Sequence, residues 1–308
     1  MKVGFDFDPF SDDDIKDGKH KFLMRLAGQF EKFGVVIDNK NPDVGLYLPI
    51  KIENKNAKVK VVRLDGLIMN SRWDHKKKNK YIKKVINSAD ALIYQGDFCE
   101  ESYRKFLGID KTFKIIPNGC DPDEFMPRKA SNYFIANSKW RPHKRLKQTV
   151  KCFLNALDKG LDADLIVTGK PDYKFKHKRI KYVGWKTRNE LVELLSGAIA
   201  SLHLTWLDWC PNSMVEAIVA KCPVIYTKSG GQTTLGKGSG IGIEDEQWAF
   251  NLIDLYNPPK LNREEVADAM IYLKDNKDKI LYPDRENLDI KNVAKEYISY
   301  FENLLKSK

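Results

Sequence analysis

Short apolar runs of strand length recur along the chain, set off by polar loops and mostly followed by stretches of helical period. The early runs are Lys2-Val-Gly-Phe-Asp-Phe7, Val44–Leu48, Val59–Arg63 and Ala91–Tyr94. A second series comprises Tyr133–Asn137, Ala163–Gly169, Ile180–Trp185, Ile199–Leu204 and Val224–Tyr226. Nearly uninterrupted apolar runs of this length suit strands buried on both faces of a parallel sheet. Between them, Phe22, Leu23, Leu26, Ala27 and Phe30 repeat at the spacing of one helix face, from Gly18 to a close at Gly34. Further helices are predicted around Lys76–Asn87, Leu146–Asp158, Arg188–Gly197, Trp248–Leu255, Arg263–Asp275 and Ile290–Leu305. Alternating strands and helices predict the α/β class with parallel sheets. No internal repeat, low-complexity linker or heptad run interrupts the pattern.

The stretch Thr205–Gly231 concentrates the candidate chemistry. A polar loop holding Asp208 follows a strand, Pro211 and Asn212 break the chain, and Ser213 is placed to cap a helix reaching about Ala220. Pro223 cannot continue that helix, Val224-Ile225-Tyr226 is the next strand, and Gly230-Gly231 turns the chain. Ligands of open α/β sheets sit outside the carboxyl ends of the strands, so both loops face an expected site. Ser213-Met-Val-Glu216 also matches a capping box, which offers Glu216 a purely local role.

As a whole this run resembles the donor-binding region of the GT-B glycosyltransferases, in particular the large family 4 group. There an acidic residue, seven spacers and a glutamate precede a small-residue helix, a "PV" strand and a Gly-Gly loop. Asp208, Glu216, Ala217, Pro223-Val224 and Gly230-Gly231 follow that order, with aspartate where relatives usually carry their first glutamate. Ile115-Ile-Pro-Asn-Gly-Cys-Asp121 resembles the family's "IPNGvD" landmark, with Phe125 after it. Ser138-Lys-Trp-Arg-Pro-His-Lys144 falls where relatives place an arginine and, five residues later, a lysine on the donor diphosphate. Aligned on Pro142 those positions are Lys139 and Lys144, with Arg141 as the alternative guanidinium.

The resemblance implies a GT-B fold, two Rossmann-like domains facing each other across a cleft. It implies an acceptor-side domain over 1–127, joined by the last helix at 290–308, and a donor-binding domain over 128–289. It implies a retaining, metal-independent hexosyl transfer from a UDP- or GDP-sugar to a glycan or lipid-linked glycan, with no cofactor required. The residues implicated in catalysis are Asp65, Lys139, Arg141, Lys144, Asp208 and Glu216, with Glu216 on the donor ribose. Gly18 in the first loop, Asn118, Gly119, Trp185, Asn212, Ser213, Gly230 and Gly231 are expected around the donor. In the first loop, Asp17-Gly18 takes the place of the family's Gly-Gly pair, and a helix start there would favour a diphosphate.

Composition changes the picture in two respects. The net charge of +11 resides largely in two clusters, 76–84 and 174–181. Such an excess attracts anionic partners such as lipid surfaces, phosphorylated glycans or nucleic acid, or is simply a solvated lysine-rich surface. Lys76, Lys77, Lys78, Lys80, Lys83 and Lys84 follow Asp65-Gly66 and are expected to guide an anionic or membrane-borne acceptor. Nucleic acid is the second expectation. Five cysteines without a C-x-x-C pair suggest neither a disulfide framework nor a zinc site. With no signal-peptide pattern and no apolar run approaching a membrane span, the expected location is cytoplasmic, with peripheral contact at the inner membrane face. Two other classes compete. Asp6-Phe-Asp8 after the first strand also suits a Mg²⁺-dependent phosphotransferase, and Asp208 and Asp65 in place of usual family residues suit a non-catalytic sugar-nucleotide or glycan binder.

Overall fold

The computed structural model describes residues 1–11, 18–50, 52, 56–125, 131–276 and 285–308. The aspartates at 12–14, Asp17 and the expected domain boundary near Pro127 lie outside the described residues. The chain divides into two compact units. The first holds Met1–Cys120, Phe250–Ile253 and Glu286–Lys308, and the second holds Asp121–Ala249 and Asp254–Arg285.

In the first unit six parallel strands form one sheet. They are β1 (Lys2–Phe5), β2 (Val36–Ile37), β3 (Val44–Tyr47), β4 (Val59–Leu64), β5 (Ala91–Tyr94) and β6 (Phe113–Ile115), in the order β2-β1-β3-β4-β5-β6. Its helices are α1 (Gly18–Lys32), α2 (His75–Asn87), α3 (Asp97–Leu107) and α9 (Ile290–Lys306). The predicted apolar face of α1 is buried, and it meets α9 through aromatic edges. Phe30 lies 6.3 Å from Tyr297 and 6.1 Å from Phe301, centroid to centroid.

The second unit repeats the plan. β7 (Tyr133–Ala136), β8 (Asp164–Thr168), β9 (Ile180–Gly184), β10 (Ser201–His203), β11 (Val224–Thr227) and β12 (Gly240–Ile243) run parallel in the order β12-β11-β10-β7-β8-β9. With them are α4 (Leu146–Asp158), α5 (Arg188–Gly197), α6 (Asn212–Val219), α7 (Gln232–Gly236) and α8 (Arg263–Asn276). Both sheets switch direction of strand order next to their first strand, which is the doubly wound arrangement.

Three expectations need correction. Trp248–Leu255 is not helical: Phe250 has φ 55°, and Ile253 pairs instead with the segment around Asn70. The Ile253 amide donates to Met69 O at 3.0 Å, and Ser71 N donates to Ile253 O at 2.8 Å. Long-range backbone bonds have replaced the i to i−4 bonds of a helix. Ser213 does not cap α6, which starts one residue earlier with Pro211 as its N-cap and no side-chain cap bond. A capping box is present on α5 instead, between Thr187 and Glu190. Finally, α3 was not predicted. Its boundaries are nonetheless marked by Gly96 before it and by Gly108 at φ 63° after it.

Candidate active site

In the second unit the candidate site is built from the loop after β10, the segment between β7 and α4, and the glycine turn after β11. Asp208 pairs with Gly230 as an isolated parallel bridge, and Gly231 N donates to Asp208 O at 2.7 Å. The glycines are required by this approach. Gly230 sits at φ 78°, and a Cβ on Gly231 would meet Trp209 O at 1.8 Å. Gln232, fully buried, ties the same loop together. Its amide nitrogen donates to Thr205 O at 2.5 Å and Thr227 Oγ1 at 2.9 Å, and its Oε1 accepts from Asp208 N at 3.2 Å.

Lys144 Nζ forms an ion pair with Asp208 Oδ2, both side chains being 17% exposed. Burial acts to raise the Asp208 pKa. The charge and hydrogen bond of Lys144 outweigh it and hold the carboxyl below its ordinary 3.8. Two histidines feel the charges of this pair. His203 is pushed down to about 3 by burial and then by Lys144, and His143 to about 4 for the same reasons. Both are therefore neutral near pH 7, and the local charge is that of the Lys144–Asp208 pair together with its cationic neighbours.

Lys139 and Arg141 are exposed on the same segment, flanking Trp140, whose Nε1 donates to Thr168 O at 2.7 Å. The next residue, Arg145, was not predicted. It stands at φ 54° as the N-cap of α4, is buried, and bonds Asp245 bidentately at 2.8 and 3.0 Å. Ser229 Oγ adds a 2.7 Å bond to the same carboxylate, so the start of α4 is fastened to the glycine turn. Such a fork geometry is what makes arginine fit a buried carboxylate.

Glu216 is buried on α6, and its Oε1 lies 2.8 Å from Arg188 Nη1. Arg188 also bonds Glu124 Oε2 through Nε at 2.7 Å and covers the Phe125 ring at 5.3 Å. Glu216 thus pairs with a remote arginine, and α6 begins without a side-chain cap bond at its N-cap. Asn212 and Ser213 occupy the first turn of α6, half-buried, and Trp185 at the end of β9 is 64% exposed.

In the first unit Asp65 and Asn118 are brought together by Arg63, which sequence reasoning also passed over. Arg63 is fully buried over the Phe22 ring at 4.4 Å and bonds Asp65 Oδ1, Asn118 Oδ1 and, at 3.1 Å, Tyr297 OH. Gln95 Nε2 donates to Asp65 Oδ1 at 2.7 Å, while Asp65 Oδ2 is buried and accepts no hydrogen bond among the described residues. An arginine inside the apolar β4 run is the one signal that could have revealed this network. Gly119 has a packing reason for lacking a side chain, since a Cβ there would meet Ile290 Cα at 2.9 Å. Gly18 is exposed at the start of α1. The carboxylate of Asp8 is used in a turn, accepting from Phe10 N at 2.9 Å. Lys76, Lys77, Lys78, Lys80, Lys83 and Lys84 are all exposed on α2, opposite its buried Asn79, Ile82, Val85 and Ile86.

Comparison with known proteins bears on what this arrangement is. The sucrose-phosphate synthase structure from Thermosynechococcus elongatus superimposes with a TM-score of 0.73, at 11% identity, covering 100% of this chain and 99% of that one. The fold is GT-B. The Anabaena HepE structure in complex with UDP matches this GT-B chain with a TM-score of 0.66, at 13% identity, over 98% of this chain and 100% of that one. By sequence, the chain is 24% identical over 217 residues to a probable sucrose-phosphate synthase of Thermosipho melanesiensis. That match covers 63% of this chain and 48% of the other, so it spans about half the length of this curated relative. No family model matches the chain. Among the described residues no helix is long and apolar enough to cross a membrane.

Proposed function

We propose that this protein is a family 4-like glycosyltransferase that moves a sugar from a nucleoside-diphosphate donor to an acceptor hydroxyl with retention of configuration. The observation that carries the reading is the Lys144–Asp208 pair, held on a loop at the carboxyl end of β10 and backed by the Gly230-Gly231 turn. A donor diphosphate needs fixed positive charge and backbone donors where the leaving group develops its own charge. Lys144, with Lys139 and Arg141 from the same segment, supplies the first, and the α6 start supplies the second. Glu216 is assigned to the ribose hydroxyls and Trp185 to the base. HepE in complex with UDP supports uridine as the nucleoside, with a guanosine donor the alternative.

In the proposed step the bond from the anomeric carbon to the diphosphate oxygen breaks, and the acceptor oxygen bonds to the same face of that carbon. The acceptor's proton passes to the departing phosphate oxygen, so no obligatory metal enters. On the first unit, Asp65 keeps the acceptor-side role that the resemblance implies, and the α2 lysines favour a phosphorylated or lipid-linked glycan. Thermal-shift titration with UDP, GDP and their sugar conjugates tests the donor assignment. A sugar nucleotide that stabilises the protein and yields a product with the donor's anomeric configuration supports the reading. Stabilisation without turnover would leave a binding protein, and an inverted product would overturn the mechanism.

A further inference from the structure

A groove of about 1090 Å³ lies along α2 in the first unit. Its apolar lining is Pro49, Ile50, Ile68, Tyr81 and Ile82, and its basic lining is Lys77, Lys78, Lys80, Lys83 and Lys84. Two apolar side chains are left to solvent there, Ile50 at 49% exposure and Tyr81 at 45%. Among the described residues the groove also carries one carboxylate, that of Asp74 at the N-cap of α2, which accepts from Lys77 N at 3.1 Å. The other basic run behaves differently, since Arg179 and Lys181 are spent on Asp164, at 3.2 and 2.6 Å. An apolar trough edged by five ammonium groups against a single carboxylate matches an amphiphile whose polar end is anionic.

We infer that this groove docks the protein on an anionic bilayer, with acyl chains against Ile50, Ile68 and Tyr81 and headgroup phosphates on the α2 lysines. The long lysine stems let the charges reach the phosphate plane while the apolar lining takes the chains. A polyphosphate such as duplex DNA would satisfy the lysines and leave Ile50 and Tyr81 facing water, so the apolar lining favours the bilayer. The site is independent of the donor chemistry proposed above.

The test is sedimentation of the full chain with phosphatidylcholine vesicles, with and without an equal share of phosphatidylglycerol. Binding is expected only to the mixed vesicles and is expected to weaken steeply with salt. At about fivefold per lysine, Lys77→Glu/Lys80→Glu/Lys84→Glu is expected to weaken it by about a hundredfold or more. The uncharged pair Ile50→Ser/Tyr81→Ser is expected to weaken it roughly tenfold without changing the salt dependence. Equal binding to neutral vesicles, or wild-type binding by the serine pair, would overturn the groove as a bilayer site. Tighter binding to duplex DNA than to the mixed vesicles, read by gel shift, would overturn it in favour of nucleic acid.

Discussion

At the scale of single residues, the ion pair of Lys144 with Asp208 is the feature on which the proposed chemistry turns. Removing the ammonium leaves Asp208 without its ion-pair partner and, on the proposed function, takes away one of the fixed cations assigned to the diphosphate. Lys144→Ala is therefore expected to lower kcat by about 10²–10³, or ~2.7–4 kcal/mol, if it acts as other fixed oxyanion-type donors do. Steady-state kinetics with the donor identified by thermal shift reads this directly, and near-wild-type kcat would move the diphosphate elsewhere. Glu216 poses a different question, because it pairs with Arg188 across the unit from α5. Glu216→Gln keeps the shape and one acceptor while removing the charge. If Glu216 binds ribose, calorimetry should show UDP affinity falling at least about tenfold, which is ~1.4 kcal/mol. Unchanged affinity would return Glu216 to a structural ion pair with Arg188.

At the scale of elements, glycine separates positions where the backbone is crowded from positions where it is merely weak. Gly231 sits against the Trp209 carbonyl, so Gly231→Ala forces the turn after β11 away from the Asp208 loop. A loss of roughly 1–3 kcal/mol is expected, the scale of overpacking at a crowded contact. Gly28 lies within α1 with nothing within 4 Å of its missing Cβ. Gly28→Ala should instead stabilise by about 0.5–1 kcal/mol. Denaturant melts of the two variants check both signs, and a neutral Gly231→Ala would mean that the turn yields without disturbing the site.

For the molecule as a whole, acid is the informative stress. His203, buried, and His143, half-buried, lie in the second unit with pKa values pushed down to about 3 and about 4, against an ordinary 6.5. Below pH 6.5 the unfolded chain takes up protons that the folded chain refuses, so stability is full above that pH and falls as pH drops towards 4. The slope approaches about 1.4 kcal/mol per pH unit for each such group. Asp208 also has a lowered pKa, but its contribution is lost only below 3.8 and leaves this window untouched. Thermal melts between pH 7.5 and 5 should show falling Tm, and His203→Gln should flatten the decline by about half. An identical slope in the variant would remove His203 from the account.

Periodicity and punctuation in the sequence alone determined most of the secondary structure. The boundaries of β5, α4 and α5 are the predicted ones to the residue, because a buried strand run, a helix face and a Thr–Glu capping box are all local. The Gly230-Gly231 turn and the Asp208 loop were legible as a pair of neighbouring loops for the same reason. Tertiary structure decided whatever depended on a partner distant in the chain. Trp248–Leu255 has residues suited to a helix, yet its Ile253 backbone bonds are made with Met69 and Ser71. Glu216 was readable as a cap glutamate until Arg188 arrived from α5, and Arg145 has no local signal announcing Asp245. Arg63, set between Val62 and Leu64 on β4, needed Asp65, Asn118 and Tyr297 of α9 before a buried guanidinium made sense. A buried charge must be answered by an opposite charge or a hydrogen-bonding group. Spacing along the chain does not specify which distant residue folding brings there.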